Sequence, residues 1–380
     1  VRIPARSFCF LIVAISAVSV AGREVKQARE TGAEFVGAIG CRSSSCHGGA
    51  GEKRSQYLTW SQKDFHTRGQ AILLNARSAR IAEGLGIGEA QSSARCTVCH
   101  SPFQSVAPTR LASGVRPDEG VSCETCHGAA GAWLRGHTRP DWTYATRVTA
   151  GMRDLRNLYV RANTCVACHQ NVDNALLKAG HPALVFELDS QSINEPKHWK
   201  DEGPAAGPRS WLSGQAVALR EAAWHARTEP DPSADAQETS VALAWLLTKV
   251  TAMEPDLPKI SEPTSSDLEP LQKEADALAR RAANWNPTGD ATMSILRTLA
   301  DTSSEFVPGR DRTKEALFYR ARRLLLAVAR LSVAINEDRS VPLKIDKELT
   351  AMHDDVARHY DFDAPAFAEH LRAFREALPK

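Results

Sequence analysis

Nine cysteines occur in this chain of 380 residues, and eight of them fall between positions 41 and 168 as four close pairs, each ending in Cys-His. CTVCH at 96–100, CETCH at 123–127 and CVACH at 165–169 are exact C-x-x-C-H sequences, the attachment signature of c-type haem. In that chemistry the two thiols add across the two vinyl groups, and the following histidine lies beneath the iron as proximal ligand. The porphyrin therefore dictates the spacing. At this chain's own Cys and His frequencies about 0.007 such matches arise by chance, so three are not accidental. The first pair, CRSSSCH at 41–47, has four residues between its cysteines, and its loop reaches both vinyls by bulging outward.

Other chemistries fit the pattern less well. Zinc sites require further Cys or spaced His ligands and leave the invariable Cys-His order unexplained. A disulfide across a two-residue loop removes little chain entropy. The reading is four covalent haems c, held by Cys41, Cys46 and His47; Cys96, Cys99 and His100; Cys123, Cys126 and His127; and Cys165, Cys168 and His169.

Four proximal histidines leave His66, His137, His181, His198 and His225 in or beside the same stretch. Here Met152 is the one methionine, so mostly bis-His ligation is expected, with His66, His137, His181 and His198 as the distal set and His225 as a weaker candidate. Elsewhere a lone histidine is usually a surface or satisfied core residue. That bland reading is taken for His353, His359 and His370, on charged C-terminal helices.

Residues 1–22 combine Arg2 and Arg6, an apolar run from Phe8 to Ala21 that contains Cys9, and small residues Ser19 and Ala21 before a polar stretch, the pattern of an export signal. The run is short of the roughly 20 residues that span a bilayer, and no second one follows. The expected location is the periplasm or another exported compartment, with no integral membrane span in the mature chain. Loss of that segment lowers the formal charge from +2 to zero, which gives no reason to expect a nucleic-acid partner.

A polar leader at 23–36 precedes a region, 37–200, that is rich in Cys, His, Gly and short loops, where a ligand more than a packed core must hold the chain together. Pro, Gly and charges at 200–209 mark a boundary. Beyond it, 210–380 shows helical periodicity over 210–228, 237–253, 266–285, 290–306, 311–336 and 343–378. The predicted fold is mainly α: a tetrahaem domain with much irregular loop, followed by a helical bundle.

The stretch GVSCETCHGAAG at 120–131, with RCTVCH before it, WSQKDFH at 60–66 and NTCVACH after it, resembles the cytochrome c554 family of multihaem c-type cytochromes. The resemblance covers roughly 37–200 and implies closely stacked haems passing electrons along an array. In relatives from ammonia oxidisers it implies relay of electrons from hydroxylamine oxidation, with one haem five-coordinate. The function expected is electron transfer between redox partner proteins, with docking through the C-terminal helical domain. The alternative is a haem oxidoreductase acting on a small nitrogen or sulfur species at one open iron. No catalytic carboxylate or triad stands out.

Overall fold

The structure is a computed structural model that describes residues 33–201, 203, 205–262, 268–307, 309, 313–337 and 342–379. The export signal, with Cys9 and the Ser19/Ala21 cleavage site, and the leader up to residue 32 lie outside the described residues. Among those residues the structure is helices and loops without a strand, and one isolated parallel bridge joins Phe35 to Leu111. No helix among them is long and apolar enough to cross a membrane.

The chain divides into two compact units. Unit 1 comprises residues up to 61, 65–72 and 94–154; unit 2 comprises 62–64, 73–93 and 155–380. Helices are numbered in chain order: α1 Gly37–Cys41, α2 Gln56–Lys63, α3 Gly69–Ile72, α4 Ala76–Leu85, α5 Ala94–His100, α6 Cys123–His127, α7 Tyr144–Thr149, α8 Leu158–His169, α9 Asn174–Lys178, α10 Leu188–Asn194, α11 Ala206–Thr228, α12 Ala234–Met253, α13 Glu269–Ala282, α14 Gly289–Ala300, α15 Lys314–Glu337, α16 Asp346–Ala357 and α17 Ala364–Ala377.

Unit 1 carries the first three cysteine motifs on short helices. Its described residues bury four apolar side chains, Ala38, Phe103, Ala130 and Trp133, and as many polar ones, Thr97, Ser101, Ser122 and Glu124. Two alanines and two aromatics offer far too little apolar burial to offset the ordering of a unit of this size. Meanwhile Ile39, Phe65, Ile72 and Val98 are exposed large hydrophobics of the same unit. Polar links take over part of the role a core would play. Phe35 N–H donates to Arg110 O and Ala112 N–H to Phe35 O, each 2.8 Å, and Trp60 Nε1 donates to Val121 O at 2.9 Å.

Unit 2 is the opposite case. Helices α8, α11, α12, α13, α14, α15 and α17 contribute to one continuous apolar cluster that includes Trp211, Trp245, Leu324, Phe306, Phe367 and Phe374. Alternating small and large residues along α11 and α15 allow close helix approach, as where Gly207 faces Ala334. Ser233, Thr288 and Asp363 cap α12, α14 and α17 by accepting from Ala236, Ala291 and Ala366 N–H. The periodic segments of the sequence correspond to α11 through α17, with one refinement. The stretch read as a single helix at 343–378 is two, because Asp363 caps a new start with Pro365 in its first turn. The fourth motif ends α8, whose Leu158, Ala162 and Val166 belong to this cluster.

Leu324→Ala is expected to lower the stability of unit 2 by about 2–5 kcal/mol, because the side chain is fully buried in that cluster. Urea unfolding followed by far-UV circular dichroism checks this; a loss under about 1 kcal/mol would contradict the packing described.

Candidate functional site

Helical geometry explains how three of the motifs present their side chains. In α5, α6 and the last turn of α8, the cysteines stand at i and i+3 and the histidine at i+4. Those positions share one face of a helix, so two thiols and an imidazole point the same way. None of the eight described cysteines is joined in a disulfide. This donor set, with the exposed apolar side chains around it and the scarcity of core in unit 1, fits a porphyrin bound through thioethers and an axial imidazole.

The first motif reaches the same end by a loop. Helix α1 stops at Cys41, and Ser43 O then accepts from both Cys46 N–H and Gly48 N–H at 2.9 Å, which folds Cys46 and His47 back beside Cys41. The turn requires glycine: a Cβ at Gly48 would lie 1.8 Å from Arg42 O, and one at Gly49 2.2 Å from Ser44 O.

The first and third motifs are tied together. Glu124, between the cysteines of the third, is buried, and its carboxylate accepts from Val36 N–H at 3.0 and 3.1 Å, Gly37 N–H at 2.7 Å and Ala130 N–H at 2.6 Å. Glu119 accepts from Ala38 N–H at 3.1 and 3.2 Å. Two carboxylates thus take three consecutive N–H groups where α1 begins. Burial pushes both carboxyls above the usual range, against the pull of the N–H donors. At the other end of α1 the Cys41 thiol sits beside that of Cys123. Their hydrogen bond pulls Cys41 down, and the same bond, with burial, pushes Cys123 up.

In unit 2 the fourth motif is braced by α10 and α11. Gln191 Nε2 lies 3.4 Å from His169 Nδ1. Gln170 Nε2 donates to Ala218 O at 2.8 Å, and Asn171 Nδ2 to Glu221 at 3.2 Å. Glu187 caps α10, and Arg330 pairs with Asp189 at 2.7 Å. Burial outweighs that arginine, pushing the Asp189 carboxyl up to about 6.

The remaining histidines separate by surroundings. His137 and His47 face each other with ring centroids 6.1 Å apart and planes 14° from parallel. Their Nδ1 atoms are both held by protein, at Leu134 O (2.5 Å) and Gln56 Oε1 (3.0 Å), the arrangement that leaves Nε2 for coordination. His66 lies in a short 3₁₀ turn whose carbonyl accepts from Val121 N–H at 3.0 Å, beside the approach to the third motif. Gly120, at φ +78°, makes that approach possible, since a Cβ would sit 2.9 Å from His66 O. His181 keeps Nδ1 on Pro182 O at 2.9 Å, and His198 packs edge-on against Trp199. His225 is different: Nδ1 meets Glu229 and Nε2 meets Asn171 at 3.1 Å, so both ring nitrogens are engaged and it is a packed, hydrogen-bonded residue. Of the C-terminal histidines, His353 and His370 pair with Asp354 and Asp355, and His359 stacks on Phe318 at 3.9 Å.

Sequence reasoning missed Glu124, Gln56 and Gln191. A carboxylate inside a cysteine motif is a visible signal at 124; the two glutamines carry none, because their partners are set by tertiary contact.

Residues 23–128 match the family model of cytochrome c554 and c-prime, a span that holds the first three motifs and ends one residue past His127. No curated protein and no solved structure matches the chain. Over that stretch the chain is similar to a family of c-type cytochromes, proteins that carry covalently bound haem c and transfer electrons.

Asp189 generates a pH dependence. An unfolded-state carboxyl titrates near 3.9, the folded one at about 6, so between them the folded chain keeps a proton that the unfolded chain has lost. Its contribution is fully present below about pH 4 and is lost as pH rises to about 6, roughly 2–3 kcal/mol in all. Asp189→Asn is expected to flatten that slope. Urea unfolding of both proteins at pH 4 and pH 7 tests it, and identical pH slopes would contradict the assignment.

Proposed function

Given the cytochrome c554 and c-prime match of residues 23–128, we propose that the chain is an exported tetrahaem c-type cytochrome that passes electrons between redox partner proteins through closely spaced, mostly bis-His haems. The observation that carries the proposal is the repeated placement of two thiols and an imidazole on one face of a helical turn, in a unit with almost no apolar core of its own. Bound haem supplies a one-electron iron couple. Cys41, Cys46 and His47 hold the first, Cys96, Cys99 and His100 the second, Cys123, Cys126 and His127 the third, and Cys165, Cys168 and His169 the fourth.

His47 and His137 are assigned as the axial pair of the first site. Their rings lie 6.1 Å apart, and with each Nδ1 engaged by protein each Nε2 would be the nitrogen to hold iron. His66 is assigned as the other distal ligand of unit 1, and His181 and His198 as the distal candidates of unit 2. Six-coordinate iron leaves no position for substrate, which favours electron transfer over inner-sphere chemistry. The export-signal pattern of residues 1–22, with Arg2 and Arg6 before the apolar run Phe8 to Ala21, supports export to the periplasm, where thiols and haem are joined. We propose that partners dock through the C-terminal helical domain, where the groove between α11 and α13 presents Arg227 beside the ion-paired Arg220, Lys273 and Arg280.

A second reading rests on a count within unit 1: three proximal histidines but two further imidazoles, His66 and His137. One of the three proximal histidines there would have no second imidazole from its own unit, which supports haem oxidoreductase chemistry on a small nitrogen or sulfur species. Intact mass and a pyridine haemochrome assay on protein matured in an export-competent host are expected to give four haems per chain. Carbon monoxide titration of the reduced protein then separates the readings: no binding fits a carrier alone, and about one per chain fits an open iron. A mass equal to the bare polypeptide would end both.

A further inference from the structure

The Glu124 carboxylate touches two segments that lead to different histidines. Through Val36 and Gly37 N–H it holds the start of α1, whose last residue is Cys41 and whose chain continues directly into the turn that ends at His47. Through Ala130 N–H it holds the residue from which the next turn is hung: Ala130 O accepts from Leu134 N–H at 2.7 Å, Trp133 O from His137 N–H at 2.9 Å, and Leu134 O lies against His137 Nδ1. Both imidazoles of the facing pair therefore descend from backbone anchored on one buried side chain.

We infer that Glu124, carried by the third motif, is the positioning residue for the axial pair of the first haem site, setting the approach of His137 to His47. The inference rests on the proposed haem ligation and deepens it. Glu124 sits one residue after Cys123, where the helical turn directs it away from the face shared by Cys123, Cys126 and His127. Its own haem site does not use it. A carboxylate suits this role because it accepts from several N–H donors at once; here both oxygens serve the α1 side, and Oε1 also serves Ala130. A glutamine of the same shape retains one acceptor oxygen and turns an NH₂ group against backbone N–H donors. Glu119 provides an internal comparison: it anchors α1 at Ala38, with no bond to the turn that carries His137.

The test uses the full mature holoprotein and compares E124Q, E119Q and H137A with wild type by haem count, low-temperature electron paramagnetic resonance and carbon monoxide titration. H137A is expected to bind about one carbon monoxide per chain more than wild type, with a matching high-spin signal. E124Q is expected to keep the wild-type haem count yet move in the same direction at that one haem, while E119Q stays near wild type. Should E124Q accumulate poorly, E124D keeps the charge but shortens the reach by one methylene, and the same displacement is expected. If H137A changes nothing, the assignment of His137 as a ligand fails. If H137A opens a haem while E124Q and E124D bind carbon monoxide as wild type does, the positioning role of Glu124 is overturned. Equal loss of all four haems in the Glu124 variants, with no selective high-spin signal, would also overturn it in favour of a general folding role.

Discussion

A buried carboxylate that accepts backbone hydrogen bonds at both of its oxygens is the constraint on which the arrangement of unit 1 turns. Glu124 gathers the N–H groups of Val36, Gly37 and Ala130 into one place. The cost of burying it is visible in its upward-shifted carboxyl, and the donors offset that cost. In a unit with a large apolar core such a residue would be one anchor among many. Here the described residues bury four apolar side chains, so a polar anchor decides which segments meet.

The two units apply different physics to the same kind of motif. In unit 1 the cysteine helices are short, and loops with obligatory glycines at 48, 49 and 120 bring them together. In unit 2 the fourth motif is the end of a twelve-residue helix that contributes Leu158, Ala162 and Val166 to a continuous core, and its histidine is braced by Gln191 from α10. Packing fixes the fourth motif in the second unit, and in the first the Glu124 hydrogen bonds tie the first and third motifs together.

Much of this is legible in the residues themselves. The bundle helices from α11 onward follow from apolar spacing and from caps such as Ser233 and Thr288, because a helix face that must be buried leaves its period in the sequence. The break between α16 and α17 is legible too, in Asp363 and Pro365, but continuous apolar periodicity on either side masks it. His225 shows the limit: as one histidine among five it resembles a ligand, and its actual partners, Glu229 and Asn171, include a residue 54 positions away.

The sequence alone pointed to the proposed attachment chemistry at the three C-x-x-C-H motifs, since their spacing of two thiols and an imidazole is a property of a single helical turn and needs no distant partner. It also determined that the second half is helical, since periodicity is local. Tertiary structure decided which imidazole faces which, that a glutamate in the third motif holds the chain of the first across 88 positions, and that the fourth motif shares its core with the bundle. Those contacts join residues remote in the chain, and no local pattern encodes a meeting that only the folded backbone brings about.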